Sequence, residues 1–197
     1  MDVADHLQIV DESERIWPDN IRIRAVGILL EISRGFSERA IERIQRFEKE
    51  FEERYSHRWV ADRWADLDRH ADAIRQYRIA AQENTTDGWA QSGIGWEALV
   101  LGDLEASLEA SRRAVELLAT EPMPWFNLGV ALLANGDGAS ADDAYLHGLA
   151  VAKRLAEPRN LIESAIVGFA LQQQFPKADI EAGKKLEAWL KDRLHGL

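Results

Sequence analysis

The chain has 197 residues, with 34 acidic side chains against 24 basic ones and a net charge of −10. That balance argues against a surface that tracks nucleic-acid phosphates, which needs Lys and Arg to displace counterions, and against an anionic membrane surface. Cysteine is absent, so disulfides, thiolate metal sites and thiol nucleophiles are excluded.

No apolar run approaches the ~20 residues needed to cross a bilayer. The start, Met1-Asp2-Val3-Ala4-Asp5-His6, is acidic and lacks the basic region and apolar core of a secretion signal. The expected location is therefore the cytoplasm, with no membrane insertion.

No segment shows sustained period-two alternation, and each of the five prolines precedes a helical pattern, where proline is tolerated. The whole chain therefore reads as helical, with short polar or glycine-containing turns. The first sixteen residues form a helix with Val3, Leu7 and Val10 on one face. Pro18-Asp19-Asn20 breaks it and caps a second helix to about Ser33, with Ile23, Val26, Gly27 and Leu30 inward. Arg34-Gly35-Phe36 is a turn, and Ser37 starts a third helix to about Glu52 with Ala40, Ile41, Ile44 and Phe47 on its buried stripe.

From here the chain repeats. Gly27, Ala61, Gly95 and Gly129 stand 34 residues apart, and so do Val26, Val60, Ile94 and Leu128 just before them. In the following helices Tyr77, Ser111 and Tyr145 keep the interval, as do Ala73, Ser107 and Ala141, and Ala80, Ala114 and Gly148. Small residues at matched places let two helices approach closely, and large ones fill the space between units. The clearest unit runs from Pro122. Trp125, Leu128, Gly129 and Leu132 share a helical face, Asn135-Gly136-Asp137-Gly138 stops the helix, and Ser140 is placed to cap the next one. The chain closes with a helix pair over Pro158–Gln173 and Pro176–Leu194, whose last member carries Leu186, Trp189, Leu190 and Leu194 and reads as a cap.

A 34-residue period with two helices per unit resembles the tetratricopeptide repeat (TPR) family. The unit 122–155 carries the pattern best, with Trp125, Leu128, Gly129, Ala141 and Tyr145; Leu132 replaces the family's Tyr and Gly148 its Ala. The unit 54–87 offers Val60, Ala61, Trp64, Ala73, Tyr77 and Ala80. The unit 88–121 offers Ile94, Gly95, Ala98, Gly102-Asp103 at the turn, Ser107, Ser111 and Ala114. All three lack the family's terminal proline, with Thr85, Ala119 and Lys153 in its place. Residues 20–53 make a degenerate fourth pair in which Ala40 sits one residue late against Ala73. Residues 1–19 are an N-terminal helix, and 156–197 the C-terminal pair. The resemblance implies an all-α, right-handed solenoid of antiparallel helix pairs.

It also implies an interaction module, with a concave groove lined by the first helix of each unit. At matching offsets the groove-facing residues are Tyr55, Arg58, Asp62 and Asp66 in the first unit, and Trp89, Ser92, Trp96 and Val100 in the second. In the third they are Met123, Phe126, Val130 and Ala134, with Leu133 on the flank and Asn127 beside them. On the second unit the stripe Trp89, Trp96, Val100 lies roughly 160° from Ile94 and Ala98 at ~100° per residue. Such a groove, apolar over two units and charged over one, suits an amphipathic helix or short extended peptide with bulky apolar anchors, held by an adaptor, scaffold or chaperone. The alternative is a structural or self-associating module of a larger assembly, with the same aromatic residues buried; a homo-oligomer stays open. The carboxylate clamp of co-chaperone TPR domains is not matched. The corresponding places hold Arg58, Asp62, Gly93, Met123 and Asn127, and Asp62 would repel a carboxylate.

Nothing points to catalysis, a cofactor or a metal. No two of His6, His57, His70, His147 and His195 share one helical turn as ligands would. Gly93-Ile94-Gly95 is a fragment of a dinucleotide fingerprint without a preceding strand. Asn135-Gly136-Asp137-Gly138 lacks the later ligands of a calcium loop. Glu48, Glu50, Glu52 and Glu53 with Lys49 and Arg54 read as a solvated helical face. The protein is expected not to be an enzyme.

Overall fold

The computed structural model describes residues 3–51, 55–155 and 158–195. The side chains of Val3, Leu194 and His195, and residues 52–54, on which parts of the sequence reading fall, lie outside what it describes. Among the described residues every regular element is a helix. They are α1 (Val3–Ile16), α2 (Ile21–Ser33), α3 (Ser37–Phe51), α4 (His57–Ala65), α5 (His70–Glu83), α6 (Gly88–Val100), α7 (Leu104–Leu117), α8 (Pro122–Ala134), α9 (Gly138–Ala152), α10 (Pro158–Gln172) and α11 (Ile180–His195).

Short polar side chains set the helix starts. Asn20 Oδ1 accepts from the Arg22 and Ile23 amides at 3.1 and 3.3 Å. Ser56, Asp87, Asp103 and Asp137 cap α4, α6, α7 and α9 in the same manner, each satisfying a backbone N–H that the first turn leaves without a partner. At the entry to α9 the cap is Asp137. Ser140 contributes its backbone N–H as donor (3.1 Å), which corrects the expectation that its hydroxyl was the cap. The turns inside the helix pairs place one residue each in the left-handed region: Gly35, Asp68, Gly102 and Gly136. Their spacing is 33, then 34, then 34.

That first step of 33 explains a misreading of α2. Aligned at 33, Ile28 matches Ala61, Glu31 matches Trp64 and Ala40 matches Ala73, and all six are buried. Aligned at 34, Val26 should have been internal like Val60, yet it is 47% exposed. The buried face of α2 is Gly27, Ile28 and Glu31; the pair is shortened by one residue as a whole, not only in its second helix.

The chain divides into two compact units, residues 1–76 and 77–197, with the boundary inside α5. In the first, α1 packs on α2, α2 on α3 and α3 on α4, around Leu7, Val10, Ile28, Ile44, Phe47, Phe51, Val60 and Trp64. Its interior is partly ionic. Glu31 is fully buried, with Oε1 2.9 Å from Arg43 Nε and 3.0 Å from Arg39 Nη2. Arg43 also pairs with Glu14 and Asp11 of α1. Burial works against the charge on Arg43, and its contacts with Glu31, Glu14 and Asp11 overcome that cost and hold the guanidinium protonated beyond its ordinary range. Burial raises the Glu14 carboxyl, against the opposing pull of Arg43 and Arg24. A second polar seam centres on Glu48, which accepts from Trp64 Nε1 at 3.1 Å and from Gln76 Nε2. Glu48 is thus a structural acceptor and not part of a solvated face.

The second unit is apolar throughout. The hairpins α6–α7 and α8–α9 and the pair α10–α11 share one core running from Leu99 and Val115 through Phe126, Tyr145 and Leu149 to Phe169, Leu186 and Leu190. At the place held by Glu31 and Arg43 in the first unit, the second has Ala98 with Ala110 and Leu132 with Ala144, all buried. The last helix does not start at Pro176. Asp179 caps it through the Ala182 amide at 3.0 Å, its own N–H donates to Leu133 O at 2.9 Å, and α11 begins at Ile180.

Candidate partner-binding surface on α6 and α8

The α6 helix uses opposite sides for different purposes. Ile94 and Ala98 are buried, whereas Trp89 is 40% exposed and Trp96 and Val100 are half-buried. Asp87 fixes the start of this helix by accepting from the Ala90 amide at 3.0 Å, which sets Trp89 in the first turn. Trp96 rests against the core with its remaining surface outward.

Next to it, α8 contributes Met123 and Asn127, both half-buried. Asn127 Nδ2 donates to Ser92 Oγ at 3.1 Å, tying the first helices of successive pairs together. That bond is one of the four an amide side chain can make. Ser92 itself is buried, so it positions Asn127 and presents little surface.

The other α8 residues placed in the groove from sequence are internal, which corrects that expectation. Phe126 and Val130 are each 1% exposed, and Leu133 and Ala134 are fully buried. Phe126 stacks on Tyr145 at 5.8 Å and fills the space opposite Gly148 of α9. Val130 lies against Gly168 of α10. The physical reason is that α8 packs on α6, α7, α9, α10 and α11, which leaves no free side beyond its first turns. The signal was present in the sequence: between Pro122 and Ala134 only Asn127 is polar, and a helix apolar all round is a buried one.

Tyr55, Arg58 and Asp62 fall in the first unit and the remaining groove residues in the second. All three are half-buried. Tyr55 packs its ring on Phe47 at 5.5 Å and on His57 at 4.8 Å, so it too serves packing. Trp125, expected to bind units together, is half-buried; it stacks on His147 at 4.7 Å and donates from Nε1 to Ala119 O at 3.0 Å.

The sequence reading overlooked several exposed apolar residues, among them Ile9, Ile16, Trp17 and Leu146. Ile9 and Ile16 stand seven apart, two turns on one helix side, opposite Leu7 and Val10; that spacing was the available signal.

No protein-family model matches the sequence, and no curated protein matches it. Solved structures do. A MamA fragment from Desulfovibrio magneticus RS-1 superposes with a TM-score of 0.69 at 15% identity, covering 78% of this chain and 88% of that one. The C-terminal part of a TPR repeat-containing protein from Cytophaga hutchinsonii gives 0.65 at 15% identity, over 96% and 73%. A thermophilic TPR protein of Thermus thermophilus gives 0.54 at 15% identity, over 85% and 97%. At these identities the likeness is one of fold.

Proposed function

We propose that this chain, an all-α solenoid with the fold of tetratricopeptide-repeat proteins, is a non-catalytic module that holds a protein partner on α6 and α8. Trp89, Trp96, Val100 and Met123 supply the apolar contact, and Asn127 the polar one. The observation that carries this is the exposure of Trp89 on the side of α6 that the core does not use. Aromatic side chains in partly desolvated settings contribute most of the energy in protein interfaces. The partner is an amphipathic helix or a short extended segment with one or two bulky apolar residues, and the module acts as an adaptor, scaffold or chaperone in the cytoplasm.

The burial of Phe126, Val130 and Leu133 narrows the surface and supports the alternative, a structural module with internal aromatic residues, for that part of α8. The two readings separate in a pull-down from the parent cells, comparing wild type with the pair Trp89→Ala and Asn127→Ala. Both side chains reach the surface, so helicity by circular dichroism stays constant. A partner retained by wild type and lost by the double variant supports the module; the same partners on both proteins contradict it.

A further inference from the structure

Large apolar side chains lie exposed at two places far apart in the sequence. At the end of α1, Ile16 is 62% and Trp17 56% exposed, beside the turn Pro18-Asp19-Asn20 that holds them out. Between α9 and α11 an open pocket of about 270 Å³ is lined by Leu146, Leu186 and Trp189, with Asp142 and Lys185 completing it. Leu146 is 52% exposed. The guanidinium of Arg193 lies 5.0 Å from the centre of the Trp189 ring, which braces that pocket wall.

We infer that these two places are the halves of one contact, in which Trp17 of one copy of the chain enters the α9–α11 pocket of a second copy. The chemistry of each half fits the other. A protruding Trp beside an Ile is an anchor seeking an apolar pocket, and this pocket has apolar walls. The charges also match in sign: residues 3–20 carry five acidic side chains against one basic, whereas α11 carries four basic against three acidic. In a chain of net charge −10 a contact between like ends would set acid against acid. The acidic N-terminal end therefore meets the more basic C-terminal helix of another copy. Such a contact is heterologous, so each chain keeps one anchor and one pocket free for the next, and assembly grows with concentration. It uses neither Trp89 nor Asn127 and stands independently of the α6–α8 surface.

The test is light scattering coupled to size-exclusion chromatography, run over a concentration series. Wild type is expected to rise from the 22.3 kDa of one chain to beyond two chains. Trp17→Glu and Leu146→Glu, each at an exposed position, are each expected to stay at one chain with unchanged circular dichroism. Mixed in equal amounts, they restore one good contact, from the intact anchor of the second to the intact pocket of the first, and give a two-chain species that grows no further. Wild type that stays at one chain throughout overturns the inference. So does a single variant that keeps the wild-type mass, or a mixture that stays at one chain.

Discussion

Gly129 and the Tyr145 ring occupy adjoining space: a Cβ added at residue 129 would stand 2.5 Å from Cε2 and 2.7 Å from Cδ2 of Tyr145. The ring has no room to yield, being fully buried and stacked on Phe126 at 5.8 Å and Phe169 at 5.0 Å. Gly129→Ala gains up to about 1 kcal/mol of helix propensity but overpacks a filled core at a cost of about 1–3 kcal/mol. The variant is therefore expected to lower the midpoint of urea unfolding.

The Tyr145 hydroxyl has no hydrogen-bond partner, and burial pushes its pKa far above the ordinary tyrosine range. An unpartnered buried hydroxyl costs about 1–3 kcal/mol. Tyr145→Phe keeps the stacking and removes that cost, so a calorimetric melt is expected to show a higher Tm than wild type. A lower Tm would mean that the hydroxyl has a partner in solution.

In the first unit Glu31 and Arg43 place a charge pair where the second unit has apolar side chains. Arg43→Ala leaves a buried carboxylate with Arg39 as its remaining ion-pair contact and is expected to destabilise by about 3–5 kcal/mol. Adding Glu31→Leu reproduces the Leu132 and Ala144 arrangement and is expected to recover part of the loss, because apolar replacement of a buried ion pair is often neutral or better. Urea unfolding of wild type, single and double variants gives the order directly.

Hydrogen bonds from Ser140 hold the Asp137 carboxyl below the ordinary aspartate range. The folded chain binds this proton less readily than the unfolded one. The stabilisation is therefore complete above the ordinary aspartate pKa and is lost as pH falls through the lowered folded value. Asp137→Ala is expected to cost about 0.5–2 kcal/mol at neutral pH. Asp137→Asn keeps the cap and should narrow its Tm gap to wild type as the solution is acidified. A gap that widens on acidification would contradict the assigned cap.

Periodicity carried the fold because the small–large contacts that recur every 34 residues are local to adjoining helices: Gly129 with Tyr145, Gly95 with Ser111. It failed at α2, where Val26 was matched by counting from Gly27 although the turn residues Gly35 and Asp68 stand 33 apart. It failed again at α8. The offset rule sees a helix, its hairpin partner and its neighbour in the stack, whereas Phe126 and Val130 are enclosed by long-range contacts with α9 and α10 that no local pattern encodes. The Glu31–Arg43 pair was invisible for a related reason: two charges at core positions look like errors until the fold brings them together. On α6, where nothing covers Trp89, the offset reading and the structure coincide.

The central claim is that the partner sits on α6 and α8, and photo-crosslinking in the parent cells tests it most directly. A benzoylphenylalanine probe is placed at Trp89 or Met123, and, for comparison, at Arg113 on the exposed side of α7. The account predicts the same covalent protein adduct at 89 and 123 and none at 113. An adduct at 113 with none at 89 or 123 would contradict it.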